Sequence, residues 1–290
     1  MPDTAVTRSR LAGRGRPGSS LGVLLAQGLS KRAPRHAVVV TNQGKVLGFG
    51  IVTRRRGASC WEVERLEVAR DAESAWPELL EGLGGPVSIQ GGQRLILRLA
   101  EGSALDRAAR EAEFKPYCHE EHFVLAARVH TPGREDDAPG VRLAVDDDEF
   151  GLYQLYRAAS PPPVREAEGL TVDQWKESRP LLTGWRTQGQ YVFEREGRIA
   201  GWAAVSRRGS AAMIEILSTD AKGEAAGALT GAALQGALGA SAVSCLVPGY
   251  QQVVASALIA RGFVKRASHV LYVKHVTARV RQPEIAMARA

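Results

Sequence analysis

The segment Arg198-Ile199-Ala200-Gly201-Trp202-Ala203 decides the fold, because a related segment, Lys45-Val46-Leu47-Gly48-Phe49-Gly50, occurs in the first half of the chain. The offset from Gly48 to Gly201 is 153 residues, and the same offset aligns two arginine pairs. A glycine-containing turn precedes each segment, which predicts a β-hairpin in each half. A period near 150 residues indicates two copies of one domain, since solenoid repeats span about 20–50 residues. The alternative is two unrelated α+β domains with chance matches.

Both halves show the same predicted order of hairpin, strand, helix, strand, helix and strand. In the first half we expect a hairpin at 37–53, strands at 61–68, 94–99 and 121–127, and helices at 77–83 and 105–113. In the second half we expect strands at 141–145, 190–195, 198–205, 212–217, 242–247 and 268–275. Its predicted helices contain Leu152 to Tyr156, begin after Thr171, and cover 222–240 and 253–261, with Ser160-Pro161-Pro162-Pro163 ending the first of them.

The segment 130–140, HTPGREDDAPG, has the composition of a linker, with two prolines, two glycines and four charges. We therefore predict five parts: a basic leader with a short helix, an N-terminal domain, the linker, a C-terminal domain and a tail. Their ranges are 1–36 with the helix at 19–29, 37–129, 130–140, 141–278 and 279–290.

The composition is that of a globular protein, with 290 residues, 44% hydrophobic and 24% charged. No apolar run is long enough for a transmembrane helix. The net charge of +7 lies almost entirely in the leader, where seven basic residues face one acid, so the rest of the chain is nearly neutral. A flexible N-terminus, a phosphate-contacting arm and a signal peptide at Leu21–Leu29 all remain open, but a nucleic-acid partner is not our expectation.

The three cysteines, Cys60, Cys118 and Cys245, lie far apart and form no paired motif. This pattern favours the reducing cytoplasm.

The order of elements, together with Ala257-Leu258-Ile259-Ala260-Arg261-Gly262-Phe263 before the last strand, resembles the GNAT acetyltransferase superfamily. The resemblance covers roughly residues 37–127 and 141–276. It implies an α+β fold in which two tandem GNAT-like acyl-CoA N-acyltransferase domains each form an α/β/α sandwich, a mixed central sheet flanked by helices. It also implies acetyl-CoA as cosubstrate, no metal, and transfer of an acetyl group to an amine.

In that family, acetyl-CoA binds where two parallel strands separate, with its diphosphate on amides at the start of the next helix. Lys222-Gly223-Glu224-Ala225-Ala226-Gly227 resembles the family pattern Gln/Arg-x-x-Gly-x-Gly/Ala, and its small residues would let the backbone approach the phosphates. The alternative is an Ala/Gly-rich packing helix. The implied cofactor-binding residues are Ile216, Leu217, Ser218, Lys222, Gly223, Ala225, Ala226 and Gly227.

The first copy departs further from the pattern. Its segment 69–77 has no glycine and ends in Trp76-Pro77, where bulk and a missing N–H oppose phosphate binding. We expect no acetyl-CoA there.

Two residues of the second copy are candidates for the chemistry. Glu215 stands where the family often has a carboxylate that accepts the proton of the amine, although it could also be a solvent-facing strand residue. In the family, the general acid is often a tyrosine near the end of the last helix. That position is Leu258 in the second copy and Ala109 in the first. Tyr250 could substitute as the acid or serve only in packing.

The sequence therefore predicts an N-acetyltransferase whose C-terminal copy is active. The alternative is a non-catalytic regulatory protein that binds CoA or another ligand. A small-molecule or peptide amine is the expected acceptor, and a monomer or a homodimer is expected. The transferase requires a gap between strands and unoccupied amides within 213–229.

A metal site is not expected. In Cys118-His119-Glu120-Glu121-His122 the two histidines should face opposite sides of a strand that begins near Glu121. The acidic segment 146–149 is explained by the start of a helix.

Overall fold

The computed structural model of this protein describes residues 7, 11, 35–126, 139–179 and 185–276. The predicted leader helix at 19–29, most of the linker at 130–140 and the tail at 279–290 lie outside these residues. The elements of the first half are β1 (Arg35–Asn42), β2 (Lys45–Arg54), β3 (Cys60–Val68), a 3-10 helix (Glu73–Ala75), α1 (Trp76–Gly82), α2 (Gly84–Ile89), β4 (Arg94–Ala100), α3 (Leu105–Glu111) and β5 (Lys115–Leu125).

The second half repeats this order behind an additional strand and three helices. Its elements are β6 (Val141–Leu143), a 3-10 helix (Asp146–Asp148), α4 (Glu149–Ala159), α5 (Pro162–Glu168), α6 (Val172–Ser178), β7 (Arg186–Arg195), β8 (Arg198–Arg208), β9 (Ala211–Ser218), α7 (Glu224–Gly236), β10 (Ala242–Pro248), α8 (Gln252–Ala260) and β11 (Val264–His275).

All eleven strands form one mixed sheet in the order β1-β2-β3-β4-β11-β5-β10-β9-β8-β7-β6. The last strands of the two halves are exchanged at its centre. Strand β11 lies between β4 and β5 of the first half, and β5 lies between β11 and β10 of the second half. Each half therefore completes the sheet of the other.

Helices cover both faces of the sheet. On one face, α1 and α3 pack on the first half around Leu79 and Ala109, and α7 and α8 pack on the second half around Leu229 and Leu258. On the other face, α4, α5 and α6 pack over the second half and reach the centre of the sheet at Tyr117. This α/β/α arrangement confirms the predicted fold class.

Two details of the element boundaries differ from the prediction. Strand β5 begins at Lys115, six residues before the predicted start, because the polar residues of 118–122 belong to a strand whose charges are paired inside the protein. Helix α5 follows directly where the proline run was expected only to end a helix, since Pro162 and Pro163 fit the first turn, which needs no N–H donors.

Helix α6 begins as its capping motif predicts. The Thr171 side chain accepts a hydrogen bond from the Gln174 amide at 3.2 Å, whereas the Gln174 carboxamide accepts from Leu170 N, one residue before the cap.

Candidate functional site

The site begins where the parallel strands β9 and β10 separate. Their ladder pairs Ala211–Ile214 with Ala242–Cys245 and ends there. Beyond it, Glu215–Ser218 stays paired to β8 but no longer to β10. A gap between the two strands therefore opens at Glu215.

A cavity of about 120 Å³ lies at this gap. Glu215 and Tyr250 both line it, so the two predicted catalytic side chains are brought to one cavity. The Tyr250 hydroxyl lies 3.3 Å from the hydroxyl of Ser160 at the end of α4. Ile216 and Leu217 also line the cavity, with Leu246 and Pro248 of β10 on the opposite side.

The loop after β9 turns into α7 at Gly223, whose φ of +81° favours glycine. Asp220 lies beneath this turn and is buried. Its carboxylate accepts hydrogen bonds from the amides of Lys222 at 3.2 Å and Ala225 at 2.9 Å, and also from the Glu224 amide. These backbone hydrogen bonds lower the pKa of Asp220. An internal anion thus already holds the amides at the tip of α7. The expected gap between the strands is present, but the expectation of unoccupied amides is wrong, because the Asp220 carboxylate binds them.

A second internal group fills the gap between the strands. The Gln251 side chain is buried, and its carboxamide oxygen accepts a hydrogen bond from the Ser218 amide at 3.0 Å. Since β10 no longer pairs with β9 at this level, Gln251 satisfies a backbone donor that the gap would otherwise leave free.

The other predicted cofactor residues surround the same tip. Ala225 and Ala226 are buried under the helix, while Lys222 is exposed above it. A Cβ atom at Gly227 would meet nothing within 4 Å, so space remains beside the first turn of α7.

The corresponding region of the first copy has a different shape. Strands β3 and β4 pair only at Cys60–Glu62 with Arg94–Ile96 and then separate. Beyond the gap lies a groove of about 840 Å³ between α1 and α3, with Arg70 and Arg107 among its lining residues. Within the described residues, no side chain caps the 3-10 helix that begins at Glu73.

Comparisons with solved structures identify the fold. A GCN5-related N-acetyltransferase (GNAT) of Sphaerobacter thermophilus matches 90% of this chain and 87% of its own, at 18% identity and a TM-score of 0.54. A tandem GNAT protein from the clavulanic acid biosynthesis pathway, solved without acetyl-CoA, matches 92% of this chain and 93% of its own, at 19% identity and a TM-score of 0.50. This chain consists of two tandem copies of the GNAT fold.

No protein-family model matches the sequence, and no curated protein matches it. At identities below 20%, the structural likeness establishes the GNAT fold and not an activity.

The first GNAT copy contributes a side chain to the cavity of the second. Arg55, at the end of β2, lines the cavity and is buried. It donates to Glu62 at 3.1 Å and to the Ser178 carbonyl at 2.7 Å. Burial is the largest single influence and opposes its charge, but Glu62 together with Cys60, Tyr117 and Glu168 outweighs burial and raises the pKa of Arg55. The cavity is therefore shared between the two halves.

Aromatic side chains form the helical wall of this cavity. Tyr153, Tyr156 and Trp175 pack together with ring centroids 5.7–6.3 Å apart. Arg179 lies against this wall, with its guanidinium carbon 5.5 Å from the Trp175 ring centroid and 4.8 Å from that of Trp202.

A buried polar cluster lies where the two GNAT copies exchange strands. Arg98 of β4 pairs with Glu120 of β5 at 2.8 Å, and both are almost fully buried. His122 and His269 lie on the same face of the sheet, and burial lowers both pKa values, that of His269 to about 4. His122 is buried and His119 exposed, as expected for opposite faces. The described residues contain no group of acidic, histidine or cysteine side chains arranged to bind a metal.

Three groups of this site were missed from sequence. Asp220 had a detectable signal, because an aspartate before a helix is a common N-terminal cap. Gln251 and Arg55 had none, since each acts on a backbone group that is distant in sequence.

Proposed function

We propose that this chain is an acetyl-CoA-dependent N-acetyltransferase whose chemistry takes place at the β9–β10 gap of the C-terminal copy. One observation carries the proposal: the parallel ladder ends at Ile214, and directly beyond it Glu215 and Tyr250 line one cavity. A carboxylate and a phenol beside a gap of this kind are the groups that acyl transfer to an amine needs.

Acetyl-CoA, when bound, supplies the activated acyl carbon. The amine nitrogen forms a bond to that carbon, the carbon–sulfur bond breaks, and the thiolate leaves. Glu215 accepts the proton that the amine loses, and the Tyr250 hydroxyl can give a proton to the thiolate and regain one from solvent. The apolar side chains of Leu217 and Leu246 limit water around these groups.

The tip of α7 is oriented for an anion, since the Asp220 carboxylate occupies its amides. A diphosphate would use the amides of Lys222, Glu224 and Ala225 and would have to displace Asp220. Arg195, which pairs with Asp220 at 3.4 Å, would then be free to pair with the diphosphate instead.

Asp220 and Gln251 together favour a second candidate, a non-catalytic ligand-binding protein on the GNAT fold. Both satisfy, from within the chain, backbone donors that the cofactor would otherwise use. Leu258 and Ala109 occupy the positions of the family's general-acid tyrosine, and neither side chain can donate a proton. This also favours the non-catalytic protein.

Calorimetry and turnover separate the two candidates. The transferase predicts saturable heat with acetyl-CoA and thiol release with at least one amine of a panel. Glu215→Gln should reduce kcat at least about a hundredfold and leave acetyl-CoA binding intact. Glu121→Gln, a surface change on β5, is the matched control.

Binding without turnover would favour the second candidate. Turnover that Glu215→Gln leaves unchanged would contradict the role of Glu215 as the base. Absence of heat at millimolar acetyl-CoA would contradict the transferase.

The proposed acceptor is a small-molecule or peptide amine, and the proposed location is the cytoplasm. All three cysteines are free thiols, which suits a reducing compartment. Among the described helices, none combines the length and the hydrophobicity needed to cross a membrane.

A further inference from the structure

We propose that the cavity at the β9–β10 gap binds a planar organic cation of the guanidinium type between Trp175 and Trp202, in the place that the Arg179 side chain now takes. The identification of this cation as part of the amine acceptor rests on the proposed function. The binding site itself does not.

The two indole rings already hold a cation. The Arg179 guanidinium carbon is within 6 Å of both ring centroids, the range in which cation–π attraction is significant. A guanidinium group on a separate molecule would meet the same two aromatic faces. Arg179 therefore marks the shape and the charge of the ligand that fits there.

Arg179 lies at the boundary between the cavity and solvent. Trp175, Arg179 and Leu152 line both the inner cavity of about 120 Å³ and a more open groove of about 460 Å³ beside it. The groove also contains Asp146 and Glu149 at the start of α4. If the Arg179 side chain leaves the indoles, the groove joins the cavity that contains Glu215.

The backbone of Arg179 is anchored independently of its side chain. Its amide donates to the Lys176 carbonyl at 3.3 Å, and its carbonyl accepts from the Arg56 amide at 3.3 Å. Displacement of the side chain therefore leaves both of these backbone hydrogen bonds in place.

The groups around Arg179 favour a positive ligand. Without it, the charged residues lining the cavity are Glu168, Glu215 and Arg55, and Arg55 is paired with Glu62. Carboxylates therefore outnumber guanidinium groups in this lining when Arg179 is displaced.

Chemical rescue tests this site without any cofactor. Arg179→Ala should lower the melting temperature, and guanidinium chloride at 5–50 mM, on the order used for weak ligands, should raise it again in a saturable way. Urea, a neutral molecule of nearly the same shape, should not, and sodium chloride controls for ionic strength. Arg157→Ala is the matched control, because Arg157 lies over the Tyr153 ring but does not line the cavity.

Rescue should disappear in Arg179→Ala combined with Trp202→Leu. If guanidinium raises the melting temperature of Arg157→Ala equally, or if urea matches guanidinium, the proposal is overturned. Should Arg179→Ala fail to fold, Arg179→Met keeps the apolar part of the side chain. For that variant, the change of tryptophan fluorescence on addition of guanidinium replaces the melting temperature, and the same results support or overturn the proposal.

Turnover then separates this proposal from the proposed function. With wild-type protein, agmatine should be acetylated with a kcat/KM at least about tenfold above that of butylamine, and Trp202→Leu should remove the preference. Rescue without acetylation of any amine would support the cation site and contradict the transferase. Acetylation without rescue or preference would support the transferase and overturn the cation site.

Discussion

The two GNAT copies depart from an open cofactor site in opposite ways. The C-terminal copy has small residues at the tip of α7, yet the Asp220 carboxylate already occupies the amides. The N-terminal copy has Trp76 and Pro77 at the equivalent position, yet its groove of about 840 Å³ is open and no described side chain caps its 3-10 helix. A residue pattern thus predicts how closely a ligand could approach the backbone, but not whether a side chain of the same protein already binds the backbone amides.

The largest expected effect concerns the polar cluster that joins the two copies. Glu120→Ala would leave Arg98 buried without its carboxylate, and we expect the free energy of unfolding to fall by about 3–5 kcal/mol. Urea unfolding measures this loss. Glu111→Ala removes an exposed pair with Arg107 and should leave the free energy of unfolding nearly unchanged. Two transitions in place of one would mean that the copies unfold independently.

The stability that this polar cluster gives the protein should also depend on pH. Burial lowers the pKa of His269 to about 4, so between pH 6.5 and 4 the unfolded chain binds more protons than the folded one. Stability should therefore fall as the pH falls through this window, by about 3 kcal/mol from His269. Urea unfolding at several pH values should show a flatter profile for His269→Leu. Equal slopes for the two proteins would contradict this assignment.

Asp220 decides whether the amides at the tip of α7 can accept a diphosphate. Asp220→Ala should tighten acetyl-CoA binding about tenfold, since the ligand no longer competes with a carboxylate. The same change should lower the free energy of unfolding by about 1 kcal/mol through loss of a helix cap. Calorimetry and urea unfolding check the two effects. Glu73→Ala at the tip of the N-terminal copy is the control and should leave the affinity unchanged.

The smallest effect identifies the copy that holds the cofactor. Lys222→Glu reverses an exposed charge beside the tip of α7 and should weaken acetyl-CoA binding about fivefold, or about 1 kcal/mol. Arg107→Glu makes the matched change in the N-terminal groove. If Arg107→Glu weakens binding and Lys222→Glu does not, the cofactor lies in the N-terminal copy.

Periodicity and turn residues predicted both hairpins, because Gln43-Gly44 and Glu196-Gly197 adopt positive φ values where the strands reverse. They could not predict the exchange of β5 and β11. Either strand supplies an apolar edge of similar length, and the choice depends on partners far away in sequence, such as Arg98 with Glu120.

The candidate site was predicted less completely than the fold. Glu215 and Tyr250 were placed near one another by the order of strands alone. The roles of Arg55 and Gln251 depend on hydrogen bonds to single backbone groups, which leave no periodic pattern.

The position of β11 has a consequence for biosynthesis. During translation, β4 emerges early but must wait for nearly the whole polypeptide before its neighbour β11 leaves the ribosome. Until then the nascent first half carries an unpaired strand edge, which is the type of surface that chaperones shield. For the same reason, a gene truncated before Val264 would damage both halves. The second half would lose its last strand, and β4 and β5 of the first half would lose the strand that lies between them.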